Sequence, residues 1–428
     1  MQPPPIRVES GADACTHGWA RVPFQAAARN EETSTPNLDD EHTGTRIAEQ
    51  RKLARLSQPE LADRIPYSYS LLNQVECGAK PATADFVAAV SRALNIDVTI
   101  LTGQPYVTEM QRHRLVGVVR PIREALDLYD LGPNPDLTVR PAAELISEAD
   151  KLCGQVRAVR LRSAGEALPA AIAELTHTVW TTPSTTLWQT LASTYRTAHD
   201  ISVKLGYYDL STVALDRMAW AAERASDPCL GAIRQYMRGL VYFREGEYGI
   251  GKRLITSGHD IVGQAPKTRE TLAVMGQLHL GASVICARAE DETGVTHHID
   301  EAKAIAKRIG DASEVHWLSF GPTNVALHKM SADVEMKQYD TALTEARKMR
   351  LPAATATSRR GHFLVDWART EMETGHDDPA LKRLVAARRY APEQTRYNPN
   401  ARETARSLMR TARQPSETLI GMVRWFGL

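Results

Sequence analysis

The chain is poor in cysteine, shows no excess of either charge and contains no long apolar run, and each shortage removes a class of function. Its five cysteines (Cys15, Cys77, Cys153, Cys229, Cys286) are scattered over 428 residues with no C-x-x-C pair. Odd in number and unpaired in spacing, they fit a reducing compartment better than a disulfide framework or a zinc site. Lys and Arg number 52 against 51 Asp and Glu, a formal charge of +1, so no global bias names a polyanionic partner. No run of about eighteen apolar residues occurs and the N-terminus lacks an apolar signal core, which points to the cytoplasm and to no membrane partner. Strand-like alternation is missing, and so are a glycine-rich phosphate loop and any G-x-S-x-G or local Ser/His/Asp grouping. The expectation is an all-α protein that is not an enzyme and has no cofactor. His297 and His298 have no Cys or paired carboxylates at ligand spacing, so no metal site is expected and they read as surface or cap residues.

What is present begins with residues 1–42, proline-rich and then acidic, with too little apolar surface to offset ordering entropy; a disordered tail is expected. Residues 43–103 are different. Ser57 caps a helix whose first turn holds Pro59 and Glu60, because proline lacks the amide that would be orphaned there and the carboxylate suits the helix dipole. Leu61 and Ile65 share a face, and Pro66 stops the helix. Ser68 or Ser70 caps a second helix with Leu72 and Val75 turned inward and Tyr69, Ser70, Asn73 and Gln74 outward. Gly78 closes it, and Phe86, Val87, Val90 and Leu94 form the apolar stripe of a buttressing helix.

LSQPELA, the following helix ending in VECG, and FVAAVSRAL stand in an order that resembles the XRE family, the helix-turn-helix of phage repressors and Cro. The resemblance implies a five-helix DNA-binding domain over 43–103 whose second motif helix enters the major groove of duplex DNA, with a palindromic operator read by a homodimer. It puts Ser68, Tyr69, Ser70, Asn73 and Gln74 at or beside base edges, Gln58 on phosphate and an outer base, and Arg51, Lys52 and Lys80 on the backbone. Pro66 departs from the pattern, occupying a turn position often filled by Gly. With seven Lys/Arg against six Asp/Glu over 43–103, the segment has little long-range pull on phosphate, so local contacts and a dimer are needed.

Beyond residue 103 the pattern is helical. Residues 104–141 read as a linker region in which Leu115, Val119, Ile122, Leu126 and Tyr129 make a seam interrupted at Pro121, suited either to a second protomer or to the core of the larger domain. Over 142–428, Trp188, Leu191, Ala192 and Tyr195 reproduce a W-x2-L-G/A-x2-Y spacing. Gly239, Tyr242, Gly246, Tyr248, Gly251 and Ile255 mark a second unit, Tyr339 and Ala342 a later one, and Gly375, Ala380, Leu384, Ala387 and Pro392 the last. Ala302, Ala306 and Ile309 mark a degenerate unit. Spaced by about forty residues rather than thirty-four, these resemble an irregular tetratricopeptide-like solenoid whose first helices line a concave groove. The register places Gln189, Arg196, Tyr236, Phe243, Arg244, Asn324, His362 and Arg369 in that groove, a mixture of donors and apolar groups suited to a signalling peptide or small molecule. Lys382 to Arg413 is markedly basic and reads as a solvated helical face.

The whole resembles peptide-sensing regulators of Gram-positive bacteria and, through YSYSLLNQVECG and FGPTNVALH, actinobacterial regulators of the Streptomyces type. That implies a ligand-responsive transcriptional regulator. The other reading is a scaffold whose repeats bind a protein partner, with DNA binding secondary.

Overall fold

The computed structural model describes residues 42–105 and 109–428, with side chains throughout except over 109–116. The expected tail, Cys15 and the side chain of the seam residue Leu115 therefore lie outside what is described. Among the described residues there are twenty-one α-helices, one 3-10 turn and no strand beyond an isolated bridge between Ala312 and Phe320; the chain is all-α.

Five short helices open it: α1 (Thr43–Leu53), α2 (Gln58–Ala62), α3 (Tyr69–Glu76), α4 (Ala84–Leu94) and α5 (Val98–Thr102). Local chemistry sets their ends. Ser57 and Glu60 close a reciprocal capping box on α2, with the Ser57 amide 2.7 Å from the Glu60 carboxylate. Ser68, rather than Ser70, caps α3 by accepting the Leu71 amide at 3.2 Å. α2 ends at Ala62, before Pro66 is reached, because Arg64 and Ile65 turn back to Leu61 and Ala62 in tighter i→i+3 bonds. Ile47, Leu61, Leu72, Val75, Phe86, Val90 and Leu101 fill the core between these helices.

α6 (Glu109–Asp127) carries Pro121 in its interior. Its Val118, Val119, Ile122 and Leu126 are buried in the largest core cluster of the chain, which decides for the second use of the seam: it is a core helix of the larger region.

Twelve helices follow as six antiparallel hairpins: α7 (Ala142–Arg157) with α8 (Leu161–Thr181), α9 (Thr185–Leu205) with α10 (Tyr208–Ala225), α11 (Pro228–Glu245) with α12 (Tyr248–Gly263), α13 (Arg269–Arg288) with α14 (Glu292–Ile309), α15 (Pro322–Glu335) with α16 (Tyr339–Lys348), and α17 (Thr357–Glu373) with α18 (Asp377–Tyr390). The six turns are built alike. Val159, Gly206, Gly246, Glu290, Lys337 and Gly375 take left-handed φ values between 58° and 87°. The next residue sits at φ −82° to −103° and ψ 59° to 81°, and its amide returns to the carbonyl five residues back at 2.8–2.9 Å. This satisfies carbonyls that a helix end would otherwise orphan. The left-handed residues fall 38 to 47 positions apart, so the repeat is irregular in length but uniform in its turn. α13 has the length and composition to cross a bilayer, yet 78% of its apolar window is buried inside the fold. Gly276 on that helix leaves room for Phe320, whose ring would lie 2.1 Å from an added Cβ.

α19 (Pro392–Arg396), α20 (Pro399–Thr411) and α21 (Glu417–Phe426) end the chain, with Leu419, Met422 and Phe426 buried against the last hairpins. The basic stretch over 382–413 is only partly a solvated face. Arg383 lies 3.6 Å from the Trp367 ring centroid and Arg388 4.8 Å from that of Trp425, Arg402 is buried, and Arg406 and Arg410 flank Glu403. Guanidinium planes stacked on indoles cover apolar surface while keeping their charge.

Candidate functional site

All described residues belong to one compact unit, Asp39–Leu428, and the first five helices dock on the hairpins through α4. Arg92 donates to the Gly246 carbonyl at the α11–α12 turn and faces Glu247 at 3.8 Å. Asp85 accepts the Tyr67 hydroxyl at 2.7 Å and pairs with Lys337 at 3.0 Å. Burial opposes ionisation of Asp85, but hydrogen bonds from Thr83 and Tyr67 and the Lys337 ammonium hold its carboxyl below the ordinary range.

This docking leaves the outward side of α3 uncovered. Ser68, Tyr69, Ser70 and Asn73 are exposed, Tyr69 at 50%, and Gln74 is half-buried. Gln74 donates to Ser70 Oγ at 3.1 Å, a weak internal contact that a better partner can displace. Lys52, in the last turn of α1, and Lys80, just beyond α3, are exposed as well. Gln58 is half-buried at the start of α2, its amide 2.8 Å from Glu76 Oε2 and 3.4 Å from Asn73 Oδ1, so it braces α3. Arg51 requires a correction. It is 8% exposed, and its guanidinium grips Glu76 through two bonds of 2.7 and 2.8 Å and the Leu56 carbonyl through a third. A cation so committed ties α1 to α3 and has no free edge for phosphate.

The second feature is a cavity of about 470 Å³ enclosed by the first five helices, by α9, α11, α13, α15 and α17 of the hairpins, and by α19 and α20. Thr43, Ala82, Val87, Val98, Thr102 and Gln104 form one wall. Of the groove residues read from the sequence, Tyr236, Phe243, Arg244 and His362 line it. Four do not, and are corrected. Gln189 donates to Asp227 at the N-cap of α11 at 2.8 Å. Arg196 is 1% exposed with Cys153 Sγ 4.0 Å away, and Arg369 is buried against the Tyr339 hydroxyl at 3.3 Å. Asn324 stands behind the wall, donating to Gln277 at 3.3 Å. On α9 and α15 the register marked positions about a turn or more before the lining residues, and on α17 it marked Arg369 about a turn after them.

Lining residues that sequence reading missed include His199, Asp200, Lys204, Gln277, Arg359 and Asp366. Their signal was polarity inside an apolar stretch: Lys204 follows Val203 and precedes Leu205, and Gln277 interrupts a helix apolar enough over its length to cross a bilayer. Gln277 donates to the Tyr236 hydroxyl at 2.9 Å, and Lys204 to Gln394 Oε1 at 2.6 Å. Burial, with Arg157 close by, pushes the Lys204 ammonium down to about 7. Burial likewise lowers His328 to about 3 and His199 to about 4, while it raises Asp366 to about 6.

Two further groupings were invisible from the sequence. His297 and His298 are joined by His259 and His279 from neighbouring helices, with His279 Nδ1 3.0 Å from His298 Nδ1. Cys229, Glu270 and His316 bring potential metal ligands within 4.8 Å of one another. There, a 2.7 Å contact between His316 Nε2 and Glu270 satisfies both groups, and burial raises the Cys229 thiol to about 12, which keeps it protonated. No protein-family model and no curated protein matches the sequence, so function has to be argued from this geometry.

Proposed function

We propose that the chain is a cytoplasmic, sequence-specific DNA-binding transcriptional regulator: an XRE-type helix-turn-helix, α2 and α3, carried on tetratricopeptide-like hairpins and responsive to a ligand in the cavity. The observation that carries the reading is the outward side of α3. It offers Ser68, Tyr69, Ser70, Asn73 and Gln74 to solvent in consecutive turns, while α4 of the same bundle is engaged with the hairpins. Amides and hydroxyls of this kind suit base edges in the major groove, where Asn and Gln pair bidentately with adenine. Lys52 and Lys80 supply phosphate contacts, and Gln58 holds the reading helix in place. With Arg51 withdrawn from the surface, one copy has few phosphate contacts, so two copies on a palindromic operator are needed for useful affinity.

A footprint of the full chain on DNA upstream of its own gene tests this. Protection of one short two-fold site is expected; sequence-blind protection that vanishes with modest salt would overturn the reading.

A further inference from the structure

We propose that the cavity is a binding site for a small organic anion, a carboxylate or phosphate compound, held by Arg244, Arg359 and Lys204, and that occupancy is transmitted to α4 and Gln104. The transmission half rests on the regulator reading above; the binding half stands without it.

The charges in the wall do not balance. Arg157, Lys204, Arg244, Arg288, Arg359 and Arg406 line the cavity against the carboxylates Asp200, Glu335, Asp366 and Glu403. Arg157 is paired with Asp200 at 2.8 Å, Arg288 with Glu335 at 2.9 Å, and Arg406 with Glu403 at 3.7 Å. Asp366 is occupied by the Ser331 hydroxyl at 2.7 Å. Three cations are left without a direct ion pair: Lys204 meets an amide, Arg244 lies 5.0 Å from the Tyr208 ring centroid, and Arg359 sits near the Tyr236 hydroxyl, with Asp200, already held by Arg157, the carboxylate whose field reaches Lys204 and Arg359. One buried nitrogen of Arg244 has no hydrogen-bond partner, and neither does Nε of Arg157. Buried donors without acceptors are costly, and a wall with six cations against four carboxylates is completed by an anion. The volume falls in the range of small-molecule sites.

The same residues reach the DNA-reading bundle. The Tyr208 ring that receives Arg244 donates its hydroxyl to Gln104 Oε1 at 3.1 Å. Two positions beyond Arg244, the Gly246 carbonyl takes the guanidinium of Arg92 on α4. An anion that draws Arg244 off Tyr208 disturbs both connections, so anion and DNA affinities change each other by one common factor.

Calorimetric titration of the full chain with citrate and, separately, with pyrophosphate is the test, with sucrose as the uncharged control. Saturable binding of at least one anion at one per chain is expected, weakened about tenfold or more in R244Q and K204Q that remain folded by circular dichroism. Citrate alone identifies a carboxylate site and pyrophosphate alone a phosphate site. Absence of saturable binding by either, or equal binding by the folded variants, overturns the site. With the footprinted DNA present, the bound anion should alter DNA affinity in the wild type and not in R244Q; binding without that change overturns the transmission. A chain that shows Arg244-dependent anion binding but no specific DNA site retains the cavity assignment and loses the regulator reading.

Discussion

Arg51 in the N-terminal bundle and Arg244 in the cavity wall are both drawn into the fold, Arg51 buried and Arg244 half-buried, but only Arg51 is ion-paired with a carboxylate. Glu76 meets Arg51 with two oxygens, and Leu56 accepts the remaining edge, so that charge is consumed in joining helices. Arg244 rests on an aromatic face with one nitrogen unpaired. Buried charge alone therefore does not mark a site here; charge without an ion pair, in the wall of a recess, does. Arg196 is a useful contrast, since it too has unpaired nitrogens but lines no cavity.

The contrast can be broken or sharpened in several ways. Acid should have the largest effect. Burial holds His199 and His328 at about 4 and 3, below the ordinary 6.5. The unfolded chain therefore binds protons that the folded chain refuses, and stability present above about pH 6.5 is lost as pH falls toward 4. The combined loss by pH 5 is on the order of 4 kcal/mol, and a melting curve at pH 5 should lie well below one at pH 7. Equal midpoints at the two pH values would mean that these imidazoles are hydrated.

Glu76→Ala strands Arg51 and should cost about 3–5 kcal/mol, measured by denaturant titration of the bundle. Arg244→Met removes a cation that makes no ion pair and should stay within about 0.5 kcal/mol of the wild type. Comparable losses in the two variants would erase the distinction between them. Tyr69→Ala or Gln74→Ala should leave the melting temperature unchanged and cost about 1–3 kcal/mol in discrimination among operator sequences, read by fluorescence anisotropy. Gly246→Ala places a methyl in a left-handed residue, 2.9 Å from the Ala88 Cβ and closer still to Arg92. It should cost about 1 kcal/mol and speed proteolytic cleavage between α5 and α6; an unchanged cleavage rate would show that the docking is not held at this turn. Lys80→Ala should have the smallest effect, lowering the salt slope of DNA binding by about one while leaving base preference intact.

Short-range chemistry was readable in advance. Ser57, Glu60 and Ser68 act over three residues, and the inward and outward sides of α3 follow from one helical period. The hairpins were readable where aromatics and small residues fall in register, as at Trp188 and Gly239, but not at α7 and α8, whose turn uses Val159. The fate of Arg51 was hidden because Glu76 lies 25 positions away and either residue is equally at home on a surface. The cavity was hidden for a related reason: Gln104, Lys204, Arg244 and Arg359 come to one cavity only after several hairpins stack. A periodicity argument names the helix face without naming the turn at which another element closes over it.

The central claim is that the outward side of α3 reads bases. The most direct measurement is selection of bound duplexes from a random pool by the full chain and by Gln74→Ala at one fixed salt concentration. A single two-fold symmetric motif is predicted for the wild type, with the same motif degenerate at one position in each half-site for the variant. Recovery of no motif, or of identical motifs from both proteins, would contradict it.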